Sequence, residues 1–166
     1  DQVAALTGGQ VGALTQFQVG RLGTAQLAAI ETNDLAGLKR SQWDAFSTGQ
    51  IQALSTDQIS SLKRAQVTLL STTAVSALTT DQIAAMNASR LQSLTSQQIA
   101  ALTTDQLNAL TTDQLVSLRP DQVSDISASR FGALSTDQVN ALTASQLSRL
   151  TTAQLNALDA SHLSAV

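Results

Sequence analysis

The chain has no cysteine and no tyrosine, and only one proline, one tryptophan, one histidine and three phenylalanines in 166 residues. Without cysteine there is no disulfide framework and no thiolate metal site, although the redox compartment stays open because secreted proteins can also do without it. Aromatics at 2% and charged residues at 13%, about half the usual charged fraction, mean that the apolar content of 43% comes in small, uniform pieces. A net charge of −3 and a pI near 4.8 leave no basic patch for a phosphate backbone or an anionic membrane, so nucleic acid is not an expected partner. No apolar run approaches the roughly 18 residues that a membrane span needs, so membrane insertion is not expected either. No signal peptide is recognisable at the start. The sequence opens at Asp1 inside a repeat and stops at Val166 at the end of one, which reads as a fragment of a longer array.

What the chain does contain is a phrase repeated every eight residues. The stretch "ALTTDQLNALTTDQLVSLRPDQV", Ala101 to Val123, states it three times. Aligned on the glutamine, the whole chain falls into about 21 octads whose phase never slips, with position 1 at Thr7, Thr15, Gly23, Glu31 and onward to Asp159. Position 4 is Gln in 16 of 21 cases, and the exceptions are Asp34, Ala74, Arg90, Arg130 and His162. Positions 5 and 8 are apolar throughout, and position 7 is mostly Ala.

Neither regular element repeats at eight. Eight residues of continuous helix advance two turns plus about 80°, so an apolar stripe would spiral off any partner within two repeats. On a strand, positions 5 and 8 would point to opposite faces. One short helix per octad fits, because apolar residues at i and i+3 share a helical face. Position 1 is Ser, Thr, Asn, Asp or Gly in 16 of 20 occurrences, which makes it an N-cap, and Gln three residues later completes a capping box. Positions 8 and 5 then flank the cap as a hydrophobic staple. Pro120 falls at the first helical position, where its missing N–H costs nothing. Aspartates at position 3 (Asp57, Asp81, Asp105, Asp113, Asp121, Asp137) place negative charge where the helix dipole favours it.

An octad alone is unstable: two buried apolar side chains contribute about 3–6 kcal/mol, and ordering eight backbones costs roughly 8–16 kcal/mol. Stacking must supply the difference. The sequence therefore predicts an all-α solenoid of very short helices, with residues 1–166 forming one repeat domain, positions 5 and 8 inward and positions 2, 3 and 6 outward. Asp57, Asp81 and Asp105, and the pairs Lys39-Arg40 and Lys63-Arg64, recur at every third octad, which hints at three octads per coil. Arg90 and Arg130, five octads apart, do not follow that interval.

Irregular residues are weighed against plain packing. Trp43 and Phe46 take positions 5 and 8 of one octad, and a bulkier core layer is preferred over a ligand-stacking site. The glycines concentrated between Gly8 and Gly49 imply looser packing there. His162 replaces a capping Gln with no second His, Cys or acidic cluster beside it, and is taken as structural. The cap hydroxyls are committed to backbone N–H groups and have no base, so no catalytic residue, cofactor site or metal site is assigned and an enzyme is not expected. Asn87-Ala88-Ser89 matches a glycosylation acceptor, yet a cap is the preferred reading.

The phrases "ALTTDQLNAL", "LSTDQVNALTASQL" and "ETNDLAGL" resemble octapeptide arrays of very large bacterial surface or secreted proteins, labelled haem-utilisation, haemagglutinin-like or adhesion proteins. The resemblance covers the whole chain and implies a stalk or spacer in an extracellular or cell-surface protein, linked to neighbouring domains of the same polypeptide. It carries over no catalytic residue. The octad is also similar to the "LTPxQVVAI" opening of transcription activator-like effector repeats, but their longer unit, DNA-reading loops and basic stripe are absent here. Alternatives to the spacer are a protein- or glycan-binding module using Lys39, Arg40, Asp44, Lys63, Arg64, Arg90, Arg119 and Arg130, and ice or mineral binding by a ladder of position-2 threonines (Thr48, Thr56, Thr72, Thr80, Thr104, Thr112). Uncapped solenoid ends invite self-association.

Overall fold

The structure, a computed structural model, describes residues 5–158. Among them are eighteen α-helices of four to six residues and one 3-10 helix, with no strand. Each octad from position 7 to 158 carries one helix. The all-α repeat architecture expected from the octad is the observed one.

Each helix starts where the cap chemistry says it should. Thr103 has extended backbone (φ −75°, ψ 165°); its Oγ1 accepts the Gln106 N–H at 3.2 Å, and Gln106 Oε1 accepts the Thr103 N–H at 2.8 Å. Preceding it, Leu102 is also non-helical (φ −57°, ψ 133°), so two consecutive extended residues turn the corner. The full reciprocal box recurs with Thr or Ser at Thr7, Thr15, Ser47, Ser55, Thr79, Thr95, Thr111, Ser135, Thr143 and Thr151. At Gly23, Lys39, Lys63 and Arg119 only the glutamine half is made. Pro120 opens the helix Pro120–Ser124 as expected, and the six position-3 aspartates lie in first turns.

One octad departs from the pattern. "ETNDLAGL" forms a 3-10 helix, Asp34–Gly37, with Asn33 before it. Glu31 is a poor cap and Asp34 has replaced the glutamine, so nothing holds a full α-turn open at its start.

The chain divides into two compact units, residues 1–86 and 87–166. In the first, Gly8–Ala13 packs on Asp34–Gly37, Gln16–Gly20 on Arg40–Trp43, Thr24–Ala28 on Thr48–Ala53, Thr48–Ala53 on Thr72–Ala77, and Thr56–Ser61 on Thr80–Ala84. In the second, Ala88–Leu91 packs on Thr112–Ser117, Ser96–Ala101 on Pro120–Ser124, and Thr112–Ser117 on Thr136–Asn140. Pro120–Ser124 in turn packs on Ala144–Leu147, and Ala128–Phe131 on Thr152–Ala157. Every one of these pairs is three octads apart, so within each unit three octads make one coil.

The core of each unit is the stack of positions 5 and 8, from Leu27, Ile51, Ile59 and Ile83 in the first to Leu91, Leu107, Leu115 and Phe131 in the second. Trp43 is fully packed, and its ring centroid lies 5.2 Å from that of Phe46. The expected loose packing around the N-terminal glycines is found at Gly49, where nothing lies within 4 Å of an added Cβ, but not at Gly12 and Gly37. A Cβ on Gly37 would collide with the Gly8 carbonyl oxygen, and one on Gly12 would lie 2.5 Å from that of Gly37. No glycine here has positive φ, so these residues serve close backbone approach between coils and not special dihedrals.

Candidate functional site

The most elaborate chemistry in the chain is at position 4. Gln42, Gln50, Gln58, Gln66, Gln82, Gln98, Gln106, Gln122, Gln138, Gln146 and Gln154 are all buried. A capping residue needs only its Oε1, which leaves the NH2 group to be placed. Gln122 Nε2 donates to the backbone oxygens of Leu91 and Leu94 in the coil beneath, both at 2.9 Å. The same two bonds run from Gln42 to Val11 and Leu14, from Gln50 to Val19 and Leu22, from Gln58 to Leu27 and Ile30, and from Gln82 to Ile51 and Leu54. In the second unit they run from Gln138 to Leu107 and Leu110, from Gln146 to Leu115 and Leu118, and from Gln154 to Val123 and Ile126. The acceptors are the position-5 carbonyl, which also takes the position-8 N–H, and the position-8 carbonyl at the end of a short helix in the coil beneath. One carboxamide thus caps the start of its own helix and the end of another, which satisfies orphan groups at both.

Sequence reasoning had found only the cap. The missed signal was the identity of the residue. A capping box accepts Glu as readily as Gln, yet Glu never occupies position 4 in this chain. A carboxylate cannot donate, so it cannot hold the coil below.

Substitutions at position 4 show what the ladder tolerates. Arg130 donates from its guanidinium to the Ala100 carbonyl, which keeps a bond to the preceding coil but loses the acceptor for the cap. Asn87 caps Arg90 N at 3.1 Å, as expected of the "NAS" triplet. His162 lies outside the described residues. Ala74 has no polar side chain to offer. Around it lies a recess of about 320 Å³, lined by Phe46, Ser71 and Ala74 with Asp44, Thr48 and Ile51. Phe46 is partly exposed, whereas Trp43 is a core residue whose buried Nε1–H has no hydrogen-bond partner. The bulkier core layer expected of this pair therefore holds for Trp43.

Arg40 donates to the Thr68 carbonyl at 2.9 Å, and Arg119 donates to that of Gln92, whose own Nε2 donates to Ser117 O at 2.8 Å. These arginines fasten one coil to another. Lys39 and Lys63 are exposed N-cap residues, and Asp44 is exposed at the rim of the recess. Arg64 and Arg90 are also engaged with neighbours. The position-2 threonines are exposed at Thr24, Thr48, Thr56, Thr72, Thr80, Thr112 and Thr152, and in the first unit the three-octad spacing sets Thr24, Thr48 and Thr72 in one row and Thr56 and Thr80 in another. Among the described residues no three His, Cys, Asp or Glu side chains gather as metal ligands. No helix of the described residues is long and apolar enough to cross a membrane.

Comparison with known proteins agrees with the repeat reading. A family model described as the ALTTAQ repeat matches residues 27–64 and 89–120. Its six letters run from position 7 through position 4 of the octad, as in Ala101 to Gln106, and so span the staple, the cap and the ladder glutamine. No curated protein and no solved structure matches the chain.

Proposed function

We propose that the chain is a non-enzymatic structural repeat domain that acts as an elongated spacer, holding neighbouring domains of a bacterial cell-surface or secreted, adhesin-like protein apart. The supporting observation is the glutamine ladder. Its glutamine amides are spent on joining coil to coil, and Arg40, Arg119 and Arg130, which would serve a binding face, donate to backbone carbonyls instead. Extracellular placement follows the resemblance to octapeptide arrays. Small-angle scattering combined with circular dichroism tests the proposal. A helical spectrum from a rod-shaped particle is the expected result, and a compact globule would overturn it. Replacing exposed Lys39 and Lys63 is expected to leave the host protein's function intact, whereas a protein- or glycan-binding module would lose its partner.

A further inference from the structure

In a chain whose octads all do one structural job, residues that break the pattern stand out, and four of them cluster in the first unit. Phe17 is the only aromatic residue at an outward position, position 3, and it is 69% exposed. Asp44 is the only charged residue at position 6, Phe46 the only aromatic at position 8, and Ala74 the only alanine at position 4. Phe17 and Asp44 line one recess of about 320 Å³, formed where the helix Gln16–Gly20 packs on Arg40–Trp43, together with Gln16 and Ser41. Asp44, Phe46 and Ala74 line another, which also presents the hydroxyls of Thr48, Ser71 and Thr73. The two recesses share Asp44, and each has one aromatic ring in its wall.

Charge narrows the ligand. The Arg21 guanidinium lies over the Phe17 ring, 5.0 Å from its centroid, and opposes a cation there. Asp44 borders both recesses and opposes an anion in either. The other polar side chains of the lining are hydroxyls and one carboxamide, groups that both donate and accept. A neutral, hydroxyl-rich molecule with apolar faces along its length meets all of these demands.

We propose that the paired recesses bind a neutral oligosaccharide, a ribbon of pyranose rings with equatorial hydroxyls. The C–H face of one ring lies on Phe17 and that of another on Phe46, and the Asp44 carboxylate accepts hydrogen bonds from hydroxyls between them. A single sugar fills one recess only, so linked rings bind more tightly than one. The site uses none of the ladder glutamines and is independent of the spacer role.

Titration of the 15N-labelled chain with cellotetraose, glucose and the peptide Phe-Lys-Phe tests this assignment. Cellotetraose is expected to move the Ser41, Asp44 and Thr73 amide resonances saturably, and glucose to need about tenfold more or higher to do the same. Phe17→Ala and Asp44→Ala change exposed side chains, so both variants are expected to keep the parent melting temperature while binding cellotetraose about tenfold more weakly. Phe17→Trp preserves an aromatic platform and is expected to retain the affinity. No saturable movement by cellotetraose, equal saturation by glucose, or undiminished affinity in the Phe17→Ala protein would overturn the proposal. So would saturation by Phe-Lys-Phe at lower concentration than cellotetraose, which assigns the recesses to a peptide.

Discussion

At the scale of the residue, the fold depends on the difference between an amide and an acid. Gln122 is fully buried and makes three bonds: one accepted from the Arg119 N–H at 2.9 Å and two donated to the coil beneath. Gln122→Ala should cost about 3 kcal/mol in urea unfolding, at roughly 1 kcal/mol per bond. Gln122→Glu should cost more at neutral pH, because its second oxygen faces two carbonyls. That environment raises the carboxyl's folded pKa above the ordinary value of about 4.3. The penalty is therefore absent below the unfolded pKa and grows as pH rises toward the folded one, so the melting temperatures of the variant and the parent protein should converge near pH 4 and diverge at pH 7. A melting-temperature gap that is the same at both pH values would contradict the donor role. Asp125 tests the reverse case. It occupies position 7, usually Ala, and its Oδ2 is buried without a partner. Asp125→Ala should stabilise the protein by about 1 kcal/mol, measured by the same unfolding.

At the scale of the element, most of the design was legible in the sequence. Position 1 with position 4 marked each helix start, Pro120 marked one independently, and the i, i+3 apolar pair marked the buried face. Legibility stopped where the deciding partner was remote. The cap is a contact inside one octad, so a single octad displays it, whereas the second half of each glutamine's work lies in a different coil. The glycines misled for the same reason. Gly37 looks like a flexible residue in the sequence, but the carbonyl of Gly8 presses on it from another coil. Gly37→Ala should accordingly cost about 1–3 kcal/mol through overpacking. Gly49, inside the helix Thr48–Ala53 and with nothing within 4 Å of an added Cβ, gives the opposite sign. Gly49→Ala should gain about 0.5–1 kcal/mol from helix propensity alone. Equal effects of the two substitutions in thermal unfolding would contradict the close-approach reading.

At the scale of the whole molecule, stability should follow nearest-neighbour coils, because within a unit each helix packs on the helices three octads before and after it and each ladder glutamine bonds the octad four before. An octad with a coil on only one side lacks half of that support, and the structure shows which ones do. Leu147 and Leu155 sit at position 5, buried everywhere else among the described residues, yet they are 44% and 50% exposed. In the first unit Gln10 and Gln18 make their caps, and both are exposed, unlike the buried ladder glutamines. Leu91→Ala, at an enclosed position 5, should therefore cost about 2–5 kcal/mol, and Leu155→Ala well under half of that. The two costs are compared by the shift of the urea-unfolding midpoint, and equal costs at Leu91 and Leu155 would contradict the nearest-neighbour reading.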